Sequence, residues 1–360
     1  MDVYGQPLDR SGLLAHVGQL SQVAGVRLVI IADGAGRGTR LLEFRSGAGL
    51  EFEIIVDRAF DIGHASIAGR PLAWVSQVGI EGPWLREPVA LGWLRNFGGG
   101  LLATGGLDHL GSPATSDEAD PDFPSKVTND YPLHGRLSGE PATLVGYGAN
   151  WDGAECTLWA EGLIRQASVF GEVLELRRRI DCRVGTNEFR LRDTVTNHDY
   201  SPSPHMMLYH VNLGFPLVAD GSRLVLDYES ATPRDDFAAE GWDHFGPPMR
   251  AATEEVLEIR PSVGTDARVL ATVVNAEEDL AVYEHYSADT LPYMFLWRML
   301  GEGTYVVGLE PSTNSTAGRH DARAKDELVI LAPGESRDYD LVIGAHSGAD
   351  AVATHLRRHS

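Results

Sequence analysis

The side chains best suited to chemistry fall in Ser203-Pro204-His205-Met206-Met207-Leu208-Tyr209-His210-Val211-Asn212-Leu213-Gly214-Phe215-Pro216. Two histidines, an asparagine and a tyrosine interrupt an otherwise apolar, strand-like run there. Imidazole changes charge more easily near neutral pH than any other side chain, and polar groups taken into a core need partners. Strand side chains alternate faces, so His210 and Asn212 share one face and His205 takes the other. Such a strand is either a satisfied core or a site, and this stretch alone leaves both readings open.

Other stretches carry candidate groups. Asp57, Arg58 and Asp61 sit in a turn where an ion pair fixing the backbone is the simpler account and a site contact the other. Gly98-Gly99-Gly100 after Phe97 implies backbone that must approach something closely. The ending and spacing of the phosphate and dinucleotide loops are missing there. From Asp108-His109 to Tyr131 the chain is acidic, proline-containing and aperiodic. A loop of that length inside a domain is usually functional or disordered. It closes on Tyr131-Pro132-Leu133-His134-Gly135-Arg136.

The elements that must position these groups are strands. Leu174, Leu176, Ile180, Cys182 and Val184 alternate with charged residues, and Phe189, Leu191 and Val195 do so after a Gly185-Thr186-Asn187 turn. Period two over both arms predicts a long antiparallel hairpin with one wet face, which delivers the chain to the histidine stretch. Strands are expected over 26–32, 40–45 and 50–57 with a turn at 47–49, and over 224–228, 256–260, 269–275, 280–286, 294–299 and 305–309. A final hairpin follows at 328–331 and 336–343. Helical spacing predicts an N-terminal helical extension within 1–22 and a C-terminal helix within 345–360. The expectation is one all-β domain over 1–360 with a few short helices and no linker or repeat.

Composition narrows the partners. Thirty Lys+Arg against 51 Asp+Glu give a formal charge of -21, which disfavours nucleic acid and anionic membrane surfaces. No run approaches the length of a membrane span and no basic-then-apolar leader opens the chain, so a cytoplasmic location is the expectation. Cys156 and Cys182 have no metal-type spacing and read as buried thiols.

On three landmarks the sequence resembles the aldose 1-epimerase (galactose mutarotase-like) family. They are His134 in Leu133-His134-Gly135-Arg136, His210 after the hairpin, and Glu310 in Gly308-Leu309-Glu310-Pro311. The order suits the family, with 76 residues between the histidines and 100 from His210 to Glu310. Arg95-Asn96 is a reversed counterpart of the family's Asn-Arg pair. The resemblance implies an antiparallel β-supersandwich whose site lies on the concave face of one sheet. It also implies anomer interconversion, with Glu310 as base and His210 as acid on opposite sides of a sugar ring. His205 stays the rival for the acid. His134 and Arg136 would bind hydroxyls, and Asn212 would orient His210 or the ring. Arg95, Asp108, His109 and Arg234 are further candidate contacts, and Arg234 with Asp235 falls in a stretch, 227–236, expected to be a rim loop. One of Trp93, Phe97 or Tyr131 would stack on the sugar.

This scheme needs no cofactor and takes a small sugar as its partner. Two alternatives remain. Asp108, His109, His134, His205, His210 and Glu310 offer enough nitrogen and oxygen for a divalent metal, which would suit sugar isomerisation, epimerisation next to a carbonyl, or elimination on an oxidised sugar. The third reading is a non-catalytic carbohydrate-binding protein. Oligomeric state is not legible.

Overall fold

The computed structural model describes residues 1–115, 123–126, 130–235, 237, 240–264 and 266–359. Two antiparallel sheets carry most of the chain. The larger runs in space from Tyr228–Pro233 through Glu255–Pro261, Tyr293–Gly301, Thr304–Ser312, Ser203–Leu213, Leu102–Leu107, Asp61–Ile67, Leu50–Ile55 and Arg40–Arg45 to Gly25–Ile30. The smaller runs from Thr143–Asp152 through Glu155–Ala167, Val173–Arg183, Glu188–Asn197, Ser336–Ser347, Leu280–Ser287 and Arg268–Asn275 to Arg223–Val225. The helices are short: Arg10–His16, Trp93–Asn96, Arg319–Ala324 and Ala349–Leu356. The all-β expectation holds, as a β-sandwich of two antiparallel sheets with a few short helices.

The alternation read from sequence builds the core. Leu174, Leu176, Ile180 and Cys182 from one arm of the long hairpin and Phe189, Leu191 and Val195 from the other are all buried. They share one apolar cluster with Met207, Tyr209, Val211 and Leu213 of the opposite sheet. Burying each such aliphatic side chain contributes about 1.5–3 kcal/mol against the entropy of ordering it.

An ionic cluster also ties the sheets together. Arg178 donates from Nη1 to Asp61 Oδ1 at 2.8 Å and to Thr104 Oγ1 at 2.9 Å, both in the larger sheet. Its Nε and Nη2 reach Asp193 within the smaller sheet at 2.9 and 2.7 Å. Tyr209 donates its hydroxyl to the same Asp193 at 2.8 Å. Burial alone would lower the Arg178 pKa, but the Asp193 and Asp61 carboxylates raise it above the usual arginine value. The residue after Tyr209 is His210, so this cluster fixes the strand that carries the site.

Two local expectations change, and the close approach expected of the triple glycine holds. The stretch expected as a rim loop forms the strand Tyr228–Pro233, paired with Glu255–Pro261 at the sheet edge, where proline and polar residues are tolerated. Asp57 is held by Arg40 on the neighbouring strand, at 2.5 Å, rather than by Arg58. The triple glycine meets backbone: a Cβ on Gly98 would stand 2.1 Å from the Gly79 carbonyl oxygen, and Gly99 and Gly100 have φ of 73° and 95°. Of the aperiodic loop after Asp108, residues 116–122 and 127–129 lie outside the described residues. Its described ends pair as Ala114–Thr115 with Asp130–Tyr131.

Candidate active site

Ser203–Leu213 lies in the middle of the larger sheet, between Leu102–Leu107 and Thr304–Ser312, and every residue in it is buried. Its odd-numbered side chains enter the sandwich core. There His205 Nδ1 meets the Leu107 carbonyl at 3.0 Å and Nε2 meets the Tyr339 hydroxyl at 2.7 Å. Burial lowers the His205 pKa to about 4. Its even-numbered side chains face the opposite way, and His210 is among them.

Register explains what His210 meets. Val211 pairs with Leu309 and Leu208 with Ser312 on the antiparallel neighbour, so His210 falls opposite Glu310. Directly opposed residues point to the same face, and His210 Nε2 stands 3.1 Å from Glu310 Oε1. The expectation that the two would lie on opposite sides of a ring is therefore corrected: they are cross-strand neighbours in contact. Gly308, two residues before Glu310 on the same face, makes room for the pair. A Cβ there would be 3.0 Å from Glu310 Oε1, 3.0 Å from His210 Cε1 and 3.1 Å from Trp297.

Burial dominates the electrostatics. It pushes Glu310 up to about 8, with Arg234 lowering and Glu254 raising it further. It pushes His210 down to about 3, partly opposed by the side chain of Asn212. Both shifts have the same cause, burial, and favour the neutral forms: a carboxyl on Glu310 and an uncharged ring on His210. A carboxyl donating to Nε2 leaves the ring hydrogen on Nδ1. That atom and Asn212 Oδ1 are both buried with no partner in hydrogen-bond geometry.

The pair forms the floor of a cavity of about 540 Å³. One wall comes from the turn Ala90–Gly92 and the helical turn Trp93–Asn96, which present the stacked rings of Trp93 and Phe97, 4.1 Å apart. Trp297 approaches from the adjacent strand, 5.3 Å from the His210 ring. His134 stands edge-on, perpendicular to His210 at 5.8 Å. Its φ of 55° is held from both sides, its N–H donating to Gly111 and its carbonyl accepting from Gly106, each at 2.9 Å. Burial holds the His134 pKa well below the usual imidazole value, and Nδ1 has no protein partner. Arg234 completes the rim, bonded to Asp235 at 2.8 Å and Glu254 at 3.0 Å.

The cavity thus gathers His134, His210, Glu310 and Arg234 from the sequence-based candidates, and Trp93 and Phe97 from the aromatic ones. The others go elsewhere. Asp108 is buried, accepting from Gln166 at 2.6 Å. Burial would raise its pKa, but Arg136, Arg319 and Lys126 hold it low. Arg136 pairs with Glu172, beside buried Lys126, and lines a separate cavity of about 60 Å³ behind Trp93 and Phe97. His109 is tied to the Ser112 carbonyl at 2.8 Å, and Tyr131 packs against it. Arg95 is exposed and paired with Glu87. Asn212 donates to the carbonyls of Gly100 and His210, both at 2.9 Å, and so positions the strand rather than lining the cavity. Of the histidines and acids weighed as metal ligands, only His134, His210 and Glu310 share the cavity, and no described group of three such side chains is placed to hold an ion. Sequence reasoning misses Trp297 and Glu254 and gives Gly308 only as part of the Glu310 segment. Period two over 294–299 was the available signal for Trp297, but without the pairing it does not say which face is the site.

A galactose mutarotase-like sandwich with a buried imidazole–carboxyl pair under an aromatic-walled cavity is the class this fold and cavity define. The chain belongs to the family described as Domain of unknown function (DUF4432), whose model matches residues 36–345. A Klebsiella pneumoniae protein provisionally named an aldose 1-epimerase superposes with a TM-score of 0.84 at 25% identity, covering 93% of this chain and 86% of that one. A galactose mutarotase-like protein from Clostridium acetobutylicum gives 0.60 at 13% identity, over 90% and 98%. An Escherichia coli K12 protein, also provisionally an aldose 1-epimerase, gives 0.52 at 12% identity, over 84% and 97%. No curated protein matches the sequence. Among the described residues no helix is long and apolar enough to cross a membrane.

Proposed function

We propose that this protein is a carbohydrate isomerase that interconverts the anomers of a small sugar, an aldose 1-epimerase activity. The observation that carries the reading is the 3.1 Å contact of His210 with Glu310 at the floor of an aromatic-walled cavity. Opening a sugar ring removes the proton of the C1 hydroxyl, breaks the bond between C1 and the ring oxygen, and gives that oxygen a proton. The two oxygens share one carbon, so an adjacent acid and base serve them as well as an opposed pair would.

A pair that holds one proton suits this exchange. Glu310 hands its proton to the ring oxygen while His210 Nε2 takes the proton of the C1 hydroxyl, leaving an imidazolium beside a carboxylate. After C1 rotates, closure on the other face reverses both transfers and restores the pair, with no net gain of protons. This starts with Glu310 as the acid, the reverse of the roles the family resemblance implies, because burial leaves the proton there. Trp93, Phe97 or Trp297 offers a ring for the apolar face of the sugar, and the unpartnered His134 Nδ1 offers a hydroxyl contact. The scheme routes no step through a cofactor.

The test is a screen of anomerically pure sugars by polarimetry, followed by Glu310→Gln on the best substrate. The substitution keeps size and hydrogen bonding but cannot carry the proton. It is expected to slow equilibration by about 10²–10⁴-fold with binding largely kept. Full activity of that variant would refute the reading.

A further inference from the structure

Glu254 lies at the cavity mouth, just before the strand Glu255–Pro261, and uses both carboxylate oxygens. Oε1 accepts from Arg234 Nη2 at 3.0 Å, and Oε2 accepts from the Trp297 indole Nε1 at 3.2 Å. Arg234 directly follows the strand Tyr228–Pro233, and its N–H donates to the Val256 carbonyl at 2.8 Å. Trp297 pairs with Val256 and Gly308 across two strand junctions, so its ring is carried on the sheet that bears Glu310. All three side chains line the same cavity.

We propose that Glu254 is a positioning residue, whose single carboxylate holds the Trp297 ring as one wall of the sugar cavity and keeps Arg234 turned to the rim. This rests on the anomer-interconverting reading for its consequence in catalysis, though not for the contact itself. Without the carboxylate, the indole N–H loses its acceptor and the ring beside His210 loses the tether that sets its angle. Arg234 would keep only Asp235, its neighbour in sequence, and would be free to swing toward Glu310.

The same arrangement places opposite charges near the proton-carrying pair. The groups facing Glu310 are His210 across the strand, Arg234 and Glu254 at the rim, and His134 across the cavity; Glu284 of the other sheet is buried beyond the strand. Arg234 lowers the Glu310 pKa and Glu254 raises it, so Glu254 offsets part of the effect of the cation it holds.

Three variants separate these roles. Glu254→Gln keeps an acceptor but loses the charge and cannot hold both partners. Glu254→Asp keeps the charge but is too short to span them. Trp297→Phe assigns the indole resonance. With sugar as substrate, both Glu254 variants are expected to raise KM about threefold or more with a smaller change in kcat. Glu254→Gln should move the alkaline limb of the pH profile downward by about half a pH unit, and further than Glu254→Asp, which keeps the charge. The activity-independent readout is the Trp297 indole N–H in a proton–nitrogen NMR spectrum, which is expected to shift in both Glu254 variants. If wild type accelerates no sugar, the isomerase reading fails while the indole shift still tests the tether. An unmoved indole resonance in Glu254→Gln would overturn the proposal, as would equal pH profiles for the Gln and Asp variants.

Discussion

Replacing Arg178 with methionine tests how the fold holds its site strand. The side chain is wholly buried, as are its partners Asp61, Thr104 and Asp193. Removing the guanidinium deletes three charge-assisted bonds to carboxylates, at 2.7–2.9 Å, and one to a hydroxyl. It leaves Asp193 with no cation and Asp61 with only the more distant Arg58, at 4.0 Å. Breaking a buried ionic cluster this way costs about 3–5 kcal/mol. At roughly 2–4 °C per kcal/mol for a smaller domain, this would be about 6–20 °C, and the longer chain brings the expected fall in melting temperature to about 5–15 °C. Calorimetry or urea titration at pH 7 reads this directly. Adding Asp61→Asn and Asp193→Asn should recover much of the loss. A single variant within about 1 kcal/mol of wild type at pH 7 would refute the view that this cluster joins the sheets.

Gly308→Ala should cut activity by more than tenfold, about 1.4 kcal/mol or more in barrier height, with little loss of stability, because the new Cβ crowds Glu310, His210 and Trp297; kinetics beside a melting curve checks it. Glu284 is buried with both oxygens unpartnered, and burial, then Glu310, raises its pKa well above the usual value. Its contribution to stability is lost as pH rises, so Glu284→Gln should match wild type in acid and exceed it at pH 8–9 in urea titrations. At the C-terminus His355 bonds to His346 at 3.1 Å and to Thr272 at 2.9 Å, and burial lowers its pKa to about 4. Stability from a lowered imidazole pKa is lost as pH falls from the unfolded value of about 6.5 toward 4. Hydrogen exchange in Ala349–Leu356 should therefore quicken over that interval, and more so than in Val173–Arg183.

Alternation made much of the fold legible. The long hairpin reads directly from residues 174–195, and period two alone separates His205 in the core from His210 on the site face. What remained hidden depends on pairings distant in sequence. That His210 and Glu310 touch follows from the register of two strands 100 residues apart, which no local pattern encodes. Asp108, His109 and Arg136 look like site residues because their types suit a site. Glu172, Lys126 and Gln166 draw Asp108 and Arg136 into a buried ionic cluster, while the Ser112 carbonyl holds His109. The Tyr228–Pro233 strand lacks an apolar face because it is an edge, and its proline and charges read as loop. The aromatic wall rests on turns of three and four residues, too short for a periodic signal.

The central claim is that His210 and Glu310 share one proton and use it to open and reclose a sugar ring. The most direct measurement is the pH dependence of anomer equilibration by wild-type protein on its best substrate. The account predicts full activity at neutral pH and a falling alkaline limb near the Glu310 value of about 8, lost together with the activity in Glu310→Gln. A rate that instead begins to fall near pH 6.5 on the alkaline side, where an unperturbed imidazole loses its proton, or undiminished equilibration in Glu310→Gln, would contradict it.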